Sequence, residues 1–242
     1  MSIKRVNQDI QSTREGTPAV SCRLNAKVTK ALLACGFVAG PLFMLVVVIQ
    51  ILFRPGFDLG RHPISLLSLG DIGGIQIANF VISGLLIIAF AIGIRQVLHP
   101  GRGSLWGPFL VGMYGAGLII AGIFVPDPSL GFPPGTPDGI PAAFSLNAIL
   151  HGVGFMLAFG SLTLACLVFA LRDTGQREYG WAVYSVATAV AALTFIMWPG
   201  QQVGISIRYF IAAAIAWTWT SLIAARLIRE YSHRSDTITT LL

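Results

Sequence analysis

The sequence predicts an all-α polytopic membrane protein, a bundle of six transmembrane helices with both termini cytoplasmic. Three observations predict it. Six apolar runs are long enough to cross a hydrocarbon core, which takes about 20 residues. Only 11% of the 242 residues are charged and 55% are hydrophobic, with a mean hydropathy of +0.75; a soluble domain carries about 25% charged residues. The basic residues also fall mainly on one side of the predicted membrane.

Residues 1–30 are polar and mixed in charge and show no apolar period, so they are expected to form a disordered cytoplasmic tail. The run that follows is too long for the apolar region of a secretory signal. The six predicted spans are 31–53, 75–97, 104–125, 143–171, 180–198 and 207–228. The first contains no charge, and the fourth lies in a charge-free stretch from Gly139 to Leu171. Pro199-Gly200 stops the fifth. The membrane domain is thus expected over 31–229, followed by a cytoplasmic tail over 230–242. Small residues four apart, such as Gly36/Gly40, Gly112/Ala116 and Gly117/Ala121, allow close helix contacts inside the bundle.

Thirteen Lys and Arg lie on the N-tail, the two even-numbered connections and the C-terminal end; Arg54, Arg61 and Arg208 lie on the other side. By the positive-inside rule both termini are cytoplasmic. The pI near 9.7 then reflects topology, and no nucleic-acid partner is expected. Trp106, Trp181 and Trp198 near span ends fit interfacial anchoring. The three cysteines, Cys22, Cys35 and Cys166, have no metal-ligand spacing and form no disulfide framework. No metal or other cofactor is expected.

Three loops should face outward: 54–74, 126–142 and 199–206. The middle one is too rich in Pro and Gly for helix or strand and reads as a fixed-turn lid. The first concentrates arginines, aspartates, serines and a histidine between two apolar spans. Polar residues within the spans recur at helical spacing: Gln50 with Arg54, Gln76 with Asn79 and Ser83, and Asn147 with His151. These sets are expected to line one small polar cavity beneath the first two loops. Ionisable groups in a membrane are costly unless paired or hydrated, which makes His151 the leading candidate; its structural alternative is a hydrogen bond to Asn79 or Gln76.

Two chemistries stay open. Arg54, Arg61, His62, Gln76, Asn79, Asn147 and His151 would bind the polar end of a membrane lipid or small amphiphile. Alternatively, Ser65 or Ser68 would act as nucleophile with His151 or His62 as base and Asp127 or Asp71 orienting it, in a membrane hydrolase or transferase. A transport or structural subunit is a further alternative, although no inverted repeat is detectable.

The run Arg61-His62-Pro63-Ile64-Ser65-Leu66-Leu67-Ser68-Leu69-Gly70, followed by Gln76, Asn79-Phe80 and Gly84, resembles the integral-membrane family called domain of unknown function 998. Phe124-Val125-Pro126-Asp127-Pro128, the Gly131–Pro137 stretch and the His151 region are similar to its actinobacterial members. The resemblance implies six helices in a bacterial inner membrane and no established activity. It supplies no catalytic residue.

Overall fold

The computed structural model describes residues 17–197 and 204–240. Among them are six α-helices: α1 (Thr17–Phe53), α2 (Gly74–Leu98), α3 (Trp106–Ile123), α4 (Leu146–Gly175), α5 (Tyr179–Met197) and α6 (Ile205–Thr240). A 3-10 helix covers Ile64–Ser68. Each α-helix contains a stretch long and apolar enough to span a membrane. The expected tail 1–30 differs from Thr17 onward, because α1 begins there. Likewise α6 continues through most of 230–242. A polar helix that extends an apolar one keeps its backbone hydrogen-bonded without needing an apolar period of its own. Residues 1–16, Trp198, Pro199-Gly200 and most of the expected third loop lie outside the described residues.

Each helix packs against its neighbours in sequence, and α6 returns to α1, closing a six-membered ring. Short connections favour this order, since consecutive antiparallel helices meet with little loop cost. One end of the ring carries the long α1–α2 and α3–α4 loops. The opposite end carries the short α2–α3 and α4–α5 connections.

Glycines set the closest crossings. A Cβ on Gly84 of α2 would stand 2.6 Å from the Gly115 carbonyl oxygen of α3. A Cβ on Gly117 of α3 would stand 2.5 Å from the Ala158 nitrogen and 2.7 Å from the Gly154 carbonyl oxygen of α4. Gly36 and Gly40 do comparable work on α1, facing the Phe90 ring of α2 and Trp217 of α6. Gly112 is looser, with only Ala91 within contact distance. Such approach maximises dispersion contact, which drives helix association where lipid already surrounds every apolar side chain.

At the short-connection end, α4 and α6 are joined by a buried charge network. Asp173 accepts from Arg172 at 2.7 Å and from Arg226 at 2.8 Å. Glu230 accepts from Arg226 at 2.7 Å and from Arg172 at 3.3 Å. The Arg226 guanidinium also lies 4.9 Å from the Trp181 ring centroid, a cation–π contact. Two arginines and two carboxylates balance, so the low-dielectric environment holds no net charge.

Candidate functional site: a seam, a lid and an internal cavity

The single polar cavity expected from the sequence is divided. His151 of α4 bonds to the end of α3 and faces the Phe80 ring of α2 at 6.4 Å, not the Gln76 and Asn79 side chains. Two sites result.

The first is a polar seam between α1 and α2. Gln50 donates to the Gln76 side-chain oxygen at 2.7 Å. Asn79 donates to the same oxygen at 3.3 Å and to the Phe43 carbonyl at 3.1 Å. Ser83 continues the seam one turn deeper and is fully buried. Gln50 Oε1, Gln76 Nε2, Asn79 Oδ1 and Ser83 Oγ have no partner among the described residues. Gln76 and Asn79 therefore bind each other and Gln50, and neither reaches His151.

Above the seam lies the lid, formed by the two long loops. Arg54 is buried and donates to the Leu69 carbonyl, with its guanidinium 5.6 Å from the Phe132 ring centroid. Burial lowers its pKa from the usual arginine value, and the Asp71 carboxylate opposes part of that effect. His62 is also buried and uses both ring nitrogens. Nδ1 accepts from the Asp58 amide at 2.9 Å, and Nε2 lies 3.0 Å from the Leu130 carbonyl oxygen. This fixes the proton on Nε2 and leaves no ring nitrogen for a ligand. Arg61 pairs with Asp138 at 2.8 Å on the exposed surface. Of these three, each expected to meet a ligand, His62 and Arg61 fasten one loop to the other, whereas Arg54 bonds within its own loop and keeps Nη1 buried without a hydrogen-bond partner among the described residues.

Asp127 is likewise a fastening. Its carboxylate accepts from the Ser145 amide at 2.8 Å and the Ser145 hydroxyl at 2.5 Å, and that hydroxyl accepts from the Ala148 amide at the start of α4. The Ser145 hydroxyl, then its amide, holds the Asp127 carboxyl below the usual aspartate range. Ser145 is thus the N-cap of α4, and Asp127 is a brace upon it. Ser68 is buried in the 3-10 helix with its hydroxyl unpartnered among the described residues. Asn147 is exposed and joins neither site.

The second site is a cavity of about 70 Å³ inside the ring. Phe43 of α1, Phe80 of α2, Tyr114, Leu118 and Ala121 of α3, Phe155, Ala158 and Phe159 of α4, and Tyr209, Ala213 and Trp217 of α6 supply its walls. Aromatic contacts lock them in place: Phe43–Phe80 at 5.3 Å, Phe43–Trp217 at 5.0 Å, Tyr114–Trp217 at 5.5 Å and Phe155–Tyr209 at 5.5 Å between centroids. Pro63, Ile64 and Ser65 of the lid reach it from the loop end, and His151 enters from α4.

Two candidates from the sequence, Ser65 and His151, therefore share one space. The His151 ring is oriented by α3: Nδ1 lies 2.9 Å from both the Ala121 and Phe124 carbonyl oxygens. Ala121 belongs to the last turn of α3 and Phe124 is its C-cap, where no further helical N–H is available. Nδ1 therefore carries the proton, and in the neutral imidazole Nε2 is left as an acceptor. Neither His151 Nε2 nor the Ser65 hydroxyl has a hydrogen-bond partner among the described residues. Among the described residues no carboxylate lines the cavity, so the Ser/His/Asp set does not assemble around Asp127. Among the described residues no three His, Cys, Asp or Glu groups stand together as a metal site.

Sequence reasoning missed the aromatic walls and the charge network. Aromatics at helical spacing read equally as core packing. Arg172 and Arg226 counted only as topological charges, although the adjacent Arg172-Asp173 and the i,i+4 pair Arg226/Glu230 carried the signal.

No curated protein matches the chain, and no solved structure does. Residues 37–226 match the family described as Protein of unknown function (DUF998). That match runs from the first helix into the last and takes in the lid, the seam and the cavity, so the chain belongs to the domain of unknown function 998 family.

Proposed function

We propose that the protein binds a small amphiphile, or the end of a membrane lipid, in the cavity of about 70 Å³ bounded by α1, α2, α3, α4 and α6. One observation carries this reading: an aromatic-walled space inside the ring ends at the Ser65 hydroxyl and His151 Nε2, neither of which has a partner among the described residues. The lid seals the loop end through His62, Arg54 and the Arg61–Asp138 pair. We place the lid on the outer face of the membrane and both termini in the cytoplasm, on the strength of the one-sided Lys and Arg distribution; that the membrane is a bacterial inner one is what the family resemblance implies.

The test is lipid analysis of protein purified through two unrelated detergents. Wild type should retain a reproducible amphiphile, and Ala213→Phe or Ala158→Leu, which fill the cavity, should lose it while keeping a folded, monodisperse protein. Absence of any retained molecule, or retention unchanged in both filled variants, overturns the reading.

A further inference from the structure

From the unspent groups at the end of α1 we infer a second binding site, for a phosphate group, at Arg54 beneath the lid. It stands apart from the internal cavity, whose walls include neither Arg54 nor Gln76. Two other buried arginines, Arg172 and Arg226, each meet carboxylates on α4 and α6. Arg54 is only 9% exposed, yet no carboxylate stands within ion-pair distance of it among the described residues. Asp71 is exposed and acts on it only at range. Nη2 donates to the Leu69 carbonyl, and Nη1 is buried with no partner. A buried charge without a counter-charge is costlier than a neutral orphan, so an anion at Nη1 would relieve it.

Two further buried donors, the Ser68 hydroxyl and Gln76 Nε2, also lack partners. Three contacts bring them into the same neighbourhood. Ser68 immediately precedes the Leu69 whose carbonyl holds Arg54. Gly73, which accepts from the Gln76 amide at 3.0 Å, backs onto the Ser68 carbonyl. Gln50, one turn before Arg54 on α1, donates to the Gln76 side chain. Donors from three separate elements suit the several oxygens of a phosphate better than a planar, bidentate carboxylate. Gln50 Oε1, likewise unspent, accepts from a protonated phosphate oxygen or an adjacent hydroxyl.

With the lid closed these atoms are sealed from solvent, and the Phe132 ring covers the guanidinium, its centroid 5.6 Å from Cζ. The negative face of an aromatic ring is a weak substitute for an anion. Phosphate therefore enters by displacing Phe132 together with the second loop. That loop is tied to the first by the exposed Arg61–Asp138 pair, which contributes little, and by His62 on the Leu130 carbonyl.

The phosphate belongs either to a lipid head or to a free ion, and the experiment separates the two. Full-length protein in uncharged detergent is equilibrated with radiolabelled inorganic phosphate or with radiolabelled dioleoyl phosphatidylglycerol, and uncharged dioleoylglycerol is the control. Saturable binding of inorganic phosphate assigns the free ion; saturable binding of phosphatidylglycerol alone assigns the lipid head. Arg54→Gln should weaken the bound species about tenfold or more, as for a lost charge-assisted hydrogen bond, and Ser68→Ala about fivefold. Phe132→Leu removes the ring face but keeps an apolar plug, and should tighten binding about threefold; a Phe132 that only packs the lid gives no such gain. Should Arg54→Gln not yield monodisperse protein, the other two variants decide, and unchanged affinity in both overturns the site. Three wild-type results also overturn it: no saturable binding of either phosphate compound, binding no tighter than to Arg54→Gln, or phosphatidylglycerol bound no better than dioleoylglycerol while inorganic phosphate is not bound. None of these outcomes bears on the internal cavity.

Discussion

Arg226 of α6 donates to Asp173 of α4 at 2.8 Å, joining two helices that α5 separates around the ring. Asp173 is wholly buried and accepts from Arg172 as well. This clasp fixes the short-connection end, while the space between the same two helices at the other end is occupied by the cavity. The ring is therefore held by charge at one end and by packing and loop contacts at the other.

Removing Asp173 leaves two buried guanidinium groups with only Glu230 between them. Asp173→Ala should destabilise the bundle by about 3–5 kcal/mol, the usual cost of breaking a buried ion pair from one side. Glu230→Gln should cost less, because Glu230 is 28% exposed and water screens it. Thermal unfolding in detergent, followed by circular dichroism, compares the two; equal shifts would count against the clasp.

Helix crossings give a sharper contrast within one chemistry. Gly117→Ala drives a methyl group into the α4 backbone at Ala158 and Gly154 and should cost about 1–3 kcal/mol. Gly160→Ala meets nothing within 4 Å and should leave the unfolding midpoint unchanged or raise it slightly. A Gly117→Ala protein as stable as wild type would refute the close α3–α4 crossing.

The Asp127 brace predicts a pH dependence with a definite sign. Its carboxyl is held below the ordinary aspartate range by Ser145. The brace is therefore fully present above the unfolded aspartate value, about pH 4, and is lost as pH falls through the lower folded value. Protection of the Ala148 amide from hydrogen exchange, corrected for intrinsic rates, should fall in that acidic window. Asp127→Asn should flatten the profile. A wild-type profile already flat below pH 4 would exclude the brace.

His62 ties Asp58 to Leu130 through both ring nitrogens. His62→Ala leaves the Asp58 amide and the Leu130 carbonyl unpaired at that contact and loosens the lid. Tryptic cleavage after the exposed Arg61 should speed up about fivefold or more, as expected when one or more net hydrogen bonds are lost. Unchanged cleavage would mean that other contacts hold the two loops together.

The architecture was legible in the chain because a bilayer constrains sequence directly. Every backbone group must be satisfied within a helix, so length and apolarity of each run identify the spans. The helical spacing of Gln76 and Asn79 likewise showed correctly that they share a face. Their partner was not legible: spacing places residues on one helix, whereas the ring order decides which helix that face meets. Gln76 meets Gln50, while His151 meets the end of α3.

By itself, then, the sequence determined six apolar helices and a polar loop rich in hydrogen-bonding groups, since hydropathy and turn chemistry are local properties. Tertiary structure alone decided which polar groups are spent and which are free. His62 is spent in joining the two loops and Asp127 in bracing the start of α4, Arg54 keeps one guanidinium nitrogen unpartnered, and Ser65 and His151 are left facing an aromatic cavity. That division depends on distances between segments far apart in the chain, set by glycine crossings and ring closure, and no short-range pattern encodes it.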